Sequence, residues 1–236
     1  MDLPESGANN WPLRGGKYSH FEGGVRANAF ASGGFLPPAV RGSTQTGIMH
    51  VADWMVTYCM LAGGSAAFCA SDPLAAASHL PPLDSLDLWP LLSGANSTSP
   101  RREVPLELTG ASPALIVGDY KLLLGPQTLS GWEGPRYPNA SSVHSDPNAQ
   151  TLHCADGCLF DVANDPTEQQ DLAASKPGIL ASMKKRLAEL LPSAYSNDET
   201  GVDVPACKNK PAGMPCACFL ALPGNVWNGF FGPYQE

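Results

Sequence analysis

Two apolar runs, Ala114-Leu115-Ile116-Val117 and Tyr120-Lys121-Leu122-Leu123-Leu124, stand two residues apart, and the spacer is Gly118-Asp119. Strand-forming residues on either side of such a spacer fit a tight hairpin, because glycine accepts the positive φ that a two-residue turn requires. This stretch is therefore committed to an antiparallel sheet. Upstream, Val104, Leu106 and Leu108 alternate and add a strand, and Pro105, which has no amide hydrogen, places it at an edge. Downstream, Cys158 to Val162 supplies a further short strand, after a long Gly-, Pro-, Ser- and Asn-rich loop over 125–150.

Elsewhere the period changes. Val51, Trp54, Met55, Tyr58, Cys59 and Ala62 recur at helical spacing, which predicts an amphipathic helix ended by Gly63-Gly64 with this stripe turned inward. A second helix is predicted over Pro177 to Leu191. It has Ile179, Leu180, Met183, Leu187, Leu190 and Leu191 inside, a solvated face of Lys184, Lys185, Arg186 and Glu189 outside, and Pro192 as its stop. Val25, Ala27, Ala29 and Ala31 alternate as a short buried strand would, and a strand followed by a helix suits an α/β layer arrangement. Residues 63–83 show no period and read as a surface insertion. Asp165-Pro166-Thr167-Glu168 offers two carboxylates, yet Asp at N-cap, Pro at N1 and Glu at N3 describe a helix start rather than an acid–base pair.

A net charge of −8 argues against nucleic acid or anionic membranes as partners, and no run of ~18 apolar residues predicts a spanning helix. A 43% hydrophobic content is enough to fill a core in 236 residues. Chemistry on an anion is suggested locally instead. Asn9-Asn10-Trp11-Pro12-Leu13-Arg14-Gly15-Gly16-Lys17, followed by Glu22-Gly23-Gly24-Val25-Arg26, puts a lysine on a Gly-Gly loop. Inward-pointing amides of such a loop, with the ammonium, make a pocket for sulfate or phosphate. The same spacing also serves as an ordinary surface turn, and Arg14 and Arg26 fit braces that bond loop carbonyls.

The whole string resembles the sulfatase family, in its arylsulfatase B-like branch. Further pieces agree in order: His50-Val51-Ala52-Asp53-Trp54, Leu86-Asp87-Leu88-Trp89, Gly118-Asp119-Tyr120-Lys121-Leu122-Leu123, and Leu159-Phe160-Asp161-Val162 leading into Asp165-Pro166-Thr167-Glu168. The resemblance implies an alkaline-phosphatase-like α/β fold of which this chain is the C-terminal half. Residues 1–100 would be the C-terminal part of the sulfatase α/β domain, 101–192 a small antiparallel sheet packed with a helix, and 193–236 a Cys- and aromatic-rich tail. It implies sulfate ester hydrolysis by a formylglycine and a calcium ion, with Lys17 as the catalytic and substrate-binding lysine. His20, between Lys17 and Glu22, is a second substrate-binding candidate, while His50 opens a helix.

The family's nucleophile lies in a C/S-x-P-x-R context, and none of Cys59, Cys69, Cys154, Cys158, Cys207, Cys216 or Cys218 is followed by it. The resemblance places the calcium ligands upstream of Met1, so no metal site is assigned. Cys154 and Cys158, four apart across a turn, are disulfide candidates; His153 makes zinc, which needs four ligands, conceivable, but a secretory context favours disulfides. By resemblance, the tail cysteine near Cys207 pairs with the missing N-terminal half, on which the aromatic tail Trp227 to Tyr234 docks. Asn96-Ser97-Thr98 and Asn139-Ala140-Ser141 are glycosylation acceptors, whereas Met1 to Glu5 is no signal peptide. Together these imply a secreted or lysosome-like parent.

Three readings follow. The first is the C-terminal half of an arylsulfatase, inactive alone, acting on a sulfate ester or sulfated glycan with the missing half as partner. The second is a non-catalytic sulfated-glycan-binding or interaction module. The third, a phosphate-ester enzyme of the same superfamily, is disfavoured by the Asn-Trp-Pro-Leu-Arg-Gly-Gly-Lys wording.

Overall fold

The computed structural model describes residues 10–77, 79, 82–132 and 151–194 and, in the tail, 208–209, 211–212, 214, 216–225 and 228–229. They group into two compact units, 1–194 and 195–236.

The first unit is organised by four antiparallel strands in the order β1-β2-β3-β4: Glu103–Glu107, Ala114–Val117, Tyr120–Thr128 and Thr151–Asp161. The hairpin lies where the sequence puts it, with Val117 opposite Tyr120 and Gly118 at φ +56°. β1 is an edge strand, and Pro105 sits on it. The apolar runs are nearly continuous because the sheet is covered on both faces. Leu115, Leu122 and Leu159 face helix α6, Pro177–Leu190, through Met183 and Leu187. Ala114, Leu123 and Phe160 face the other way and pack on Phe21 from the Gly-Gly-Lys loop.

The strands run longer than their sequence signals. β3 continues to Thr128 and β4 starts at Thr151, because each supplies the other's backbone partners across Gly125–Thr128 and Thr151–Cys154. Cys154 and Cys158 are joined by a disulfide, and they close a bulge inside β4 rather than a turn ahead of it. Arg186, expected on the solvated face of α6, reaches the Glu103 carboxylate of β1 with hydrogen bonds of 2.8 and 2.6 Å. That pair holds the Glu103 carboxyl below its ordinary value, through the Arg186 bonds against the effect of burial.

Three expectations are corrected. No strand forms over 25–32: α1, Glu22–Val25, is a single helical turn, and 26–32 are exposed without a strand partner. Alternating alanines bury too little area to order a strand that no neighbour pairs with. Asp165 starts no helix; its carboxylate accepts from the Thr167 hydroxyl and the Gln170 amide in a turn, and Glu168 takes φ +53°. The stripe of helix α2, Asp53–Leu61, faces outward, with Val51, Met55 and Tyr58 exposed, while Asp53, Val56 and Thr57 are buried.

That reversal has an electrostatic cause. The Asp53 carboxylate accepts from Arg101 and from the amides of His50 and Leu86 at 2.8 and 3.0 Å. Thr57 Oγ1 donates to Asp53 O and accepts from the Leu88 amide. A buried carboxylate that accepts four hydrogen bonds fixes the rotation of the helix more firmly than an apolar stripe. The stretch 63–83 is also more ordered than an insertion: α3, Ala66–Cys69, is tied to α2 by a Cys59–Cys69 disulfide, and α4 spans Pro73–Ala77.

Two further short segments complete the unit, a 3-10 turn at Pro38–Val40 and helix α5, Trp89–Leu92. In the second unit the described helix is α7, Cys216–Leu220, with Cys218 an exposed free thiol. Cys207, Asn139 and the tail residues Trp227 and Phe230 to Tyr234 lie outside the described residues. Among the described residues no helix is long and apolar enough to cross a membrane.

Candidate functional site

The Gly-Gly-Lys loop is fitted onto the sheet through close contact and buried charge. A Cβ at Gly23 would lie 2.5 Å from Gly15 O, and one at Gly24 would lie 2.2 Å from Ser19 O. The second Gly-Gly therefore exists to let α1 lie flush on the loop before it, and no side chain fits there. Gly23 N donates to Arg14 O at 2.7 Å across that contact.

Arg14 is buried and braces the loop. Its Nε donates to Ser130 O at 2.6 Å and an Nη to Glu168 O at 3.1 Å, while its guanidinium lies 4.3 Å from the ring centres of both Phe21 and Trp132. Arg26 instead pairs with Glu22 at 3.4 Å and is half exposed.

Beneath the loop sits an ion cluster that no spacing argument singled out. Lys121 Nζ is fully buried, 2.7 Å from Glu22 Oε1 and 2.9 Å from Glu168 Oε1, and the Glu22 amide donates to Glu168 Oε2 at 2.7 Å. Burial lifts the Glu168 carboxyl above its ordinary value, against the opposing Lys121 ammonium and the Glu22 amide. The available signal was a lysine inside an otherwise apolar strand, which demands a carboxylate nearby.

The loop amides do not form an anion nest. Gly15 N donates to Gly131 O at 2.8 Å and Gly16 N to Ser19 Oγ at 3.1 Å, so both are already satisfied. What the loop presents is Lys17 itself. It is exposed, and among the described residues its ammonium meets the Tyr18 ring, 5.2 Å from the centroid, and no carboxylate.

His20 lies close by, facing a cleft of about 300 Å³ lined by Tyr18, Ser19, Glu107, Ser112 and Gln127 among others. Gln127 Nε2 donates to Leu124 O at 2.7 Å, which turns Gln127 Oε1 toward His20 Nδ1 at 3.2 Å. His20 Nε2 lies 3.1 Å from Glu107 Oε2. Each ring nitrogen thus faces an oxygen. His50 is not brought to this site: its amide donates to Asp53 in the α2 network.

Among the described residues no cluster of three or more His, Cys, Asp or Glu side chains is placed to hold a metal ion. Asn96 is exposed, its side-chain oxygen accepting from the Thr98 amide at 3.1 Å.

No protein-family model matches the chain. Mouse arylsulfatase J is 27% identical over 238 residues, an alignment that takes in 97% of this chain. This chain is a partial sulfatase-like region. The region spans 38% of the length of arylsulfatase J. The solved structure of Ps i-CgsB shares its fold, with a TM-score of 0.50 and 20% identity over 80% of the region and 34% of that chain. A chain from work on glycosaminoglycan metabolism by Bacteroides thetaiotaomicron superposes with a TM-score of 0.45 and 18% identity, over 76% of the region and 32% of that chain. The mixed helices and four-stranded antiparallel sheet are those of an α/β sulfatase-type fold.

Proposed function

We propose that these 236 residues supply the lysine of a sulfate ester pocket whose nucleophile and metal ion come from chain outside them. Residues 1–100 act as the C-terminal part of a sulfatase α/β domain, 101–192 as the small subdomain that carries it, and 193–236 as a tail docked on the remaining half. The observation behind this reading is Lys17: an exposed ammonium on a loop whose Gly15 and Gly16 amides are satisfied and whose base is fixed by Arg14 and by Lys121 with its two carboxylates.

A flexible lysine on a rigid base suits charge-assisted bonding to a sulfate or leaving-group oxygen as negative charge develops. Among the described residues no cluster is placed to hold the calcium ion that the resemblance implies, and no step is assigned to it or to the formylglycine. The parent is a glycoprotein of a secretory or lysosome-like compartment, with Asn96 as an accessible acceptor.

The test is a chimera in which this region replaces the matching stretch of arylsulfatase J, assayed on 4-methylumbelliferyl sulfate. Lys17→Ala should lower kcat roughly 10²- to 10³-fold with an unchanged melting temperature. Unchanged turnover would remove Lys17 from the reaction. The 236 residues alone should not hydrolyse the ester; binding of sulfated glycan with no turnover in the chimera would favour the non-catalytic module.

A further inference from the structure

We infer that Tyr18 is a positioning residue for Lys17, holding its ammonium against an aromatic face, a reading that rests on Lys17 as the lysine that meets the sulfate ester. The two side chains lie against each other, with Lys17 Nζ 5.2 Å from the Tyr18 ring centre. Cation–π attraction reaches to roughly 6 Å.

The backbone places the ring there against its own preference. Gly16 to Ser19 form a tight turn, in which the Ser19 amide donates to Gly16 O at 3.0 Å and the Ser19 hydroxyl accepts from the Gly16 amide at 3.1 Å. Tyr18 is third of the four and takes φ +74°, while Lys17 stays outside the left-handed region. A positive φ at the third position alone marks the turn type that calls for glycine. The chain has glycine at 15 and 16, yet sets a bulky aromatic residue at 18. Thr128 Oγ1 donates to the Tyr18 carbonyl at 3.1 Å and holds that peptide in place. Tyr18 is 73% exposed and joins neither apolar cluster of the sheet, so packing does not account for the strained backbone.

What the ring supplies is a hold that keeps the charge available. A carboxylate beside Lys17 would neutralise it and occupy its donors, as Glu22 and Glu168 do for Lys121. A ring face attracts the ammonium and leaves its three N–H groups to an anion. It also narrows the rotamers of a long exposed side chain, so less conformational freedom is lost when the anion binds.

The direct test is NMR of the 236-residue chain. Ring current should move the Lys17 Hε protons upfield in wild type and in Tyr18→Phe, and Tyr18→Gly should return them to the position of the other exposed lysines. Absence of that displacement in wild type overturns the proposal. Turnover of 4-methylumbelliferyl sulfate by the arylsulfatase J chimera gives the second readout. Tyr18→Gly relaxes the turn and should not lower the melting temperature, yet kcat should fall about threefold with little change in KM. Tyr18→Phe should keep the wild-type kcat, and Tyr18→Gly should have no further effect once Lys17 is replaced by alanine. An unchanged kcat in Tyr18→Gly, an equal loss in the Lys17→Ala background, or a Tyr18→Phe as slow as Tyr18→Gly would overturn the positioning role. If Lys17→Ala itself leaves kcat unchanged, the lysine reading fails, and the NMR displacement still decides whether the ring holds the ammonium.

Discussion

Lys121 Nζ and Glu168 Oε1 lie 2.9 Å apart with neither side chain reaching solvent. Glu168 also accepts from the Glu22 amide, so hairpin, turn and Lys17 loop meet at one buried point. Lys121→Met would leave Glu168 without a cation and Glu22 with only the half-exposed Arg26, and should cost about 3–5 kcal/mol in urea unfolding.

The same cluster sets a pH dependence. Burial holds the Glu168 carboxyl above 4.5 in the folded protein, so just above that pH the folded state binds its proton more readily than the unfolded chain does. Stability contributed by this group is greatest at low pH and declines as pH rises through the folded value. Urea midpoints of Glu168→Gln followed upward from pH 4.5 should lack this decline. Parallel curves for variant and wild type would refute it.

Asp53 behaves in the opposite sense. Burial alone would raise its carboxyl, but the Arg101 bonds and the His50 and Leu86 amides outweigh burial and hold it below 3.8. Its contribution is present above that value and is lost as pH falls through the folded one. Asp53→Asn should cost about 3 kcal/mol at neutral pH, and the gap to wild type should narrow below pH 3.8.

Gly24→Ala places a methyl 2.2 Å from Ser19 O and 2.5 Å from Gly16 O, both backbone atoms that cannot step aside. A loss of about 2 kcal/mol is expected. Amide exchange across the Lys17 loop should accelerate with it, and a variant as stable and as protected as wild type would contradict the close contact.

Cys59 and Cys69 enclose α3, ten residues apart in sequence. Joint replacement of both by alanine should lower stability by about 2–3 kcal/mol. Peptide mapping without reduction should recover 59 linked to 69 and 154 linked to 158.

The hairpin, its edge strand and helix α6 were legible because their signals are local: a Gly-containing two-residue spacer, a proline, and an apolar stripe of helical period stopped by Pro192. The likeness to sulfatases was equally plain in the residue order. Helix α2 was located but turned the wrong way, since its orientation depends on Arg101, 48 residues downstream of Asp53. Glu168 passed for a helix cap, since nothing near it in sequence reveals that Lys121 waits beneath it.

Sequence by itself determined where the hairpin turns, where helix α6 runs and that the chain is sulfatase-like. Those properties follow from backbone preference and residue order over a few positions. Only the tertiary structure decided that the Gly-Gly amides are already bonded, that the charges beneath the loop are paired, and that His20 meets Glu107 at a cleft. Each of these joins groups far apart in sequence or depends on the closeness of two backbones, and a buried charge takes its partner from whatever the fold brings within 3 Å.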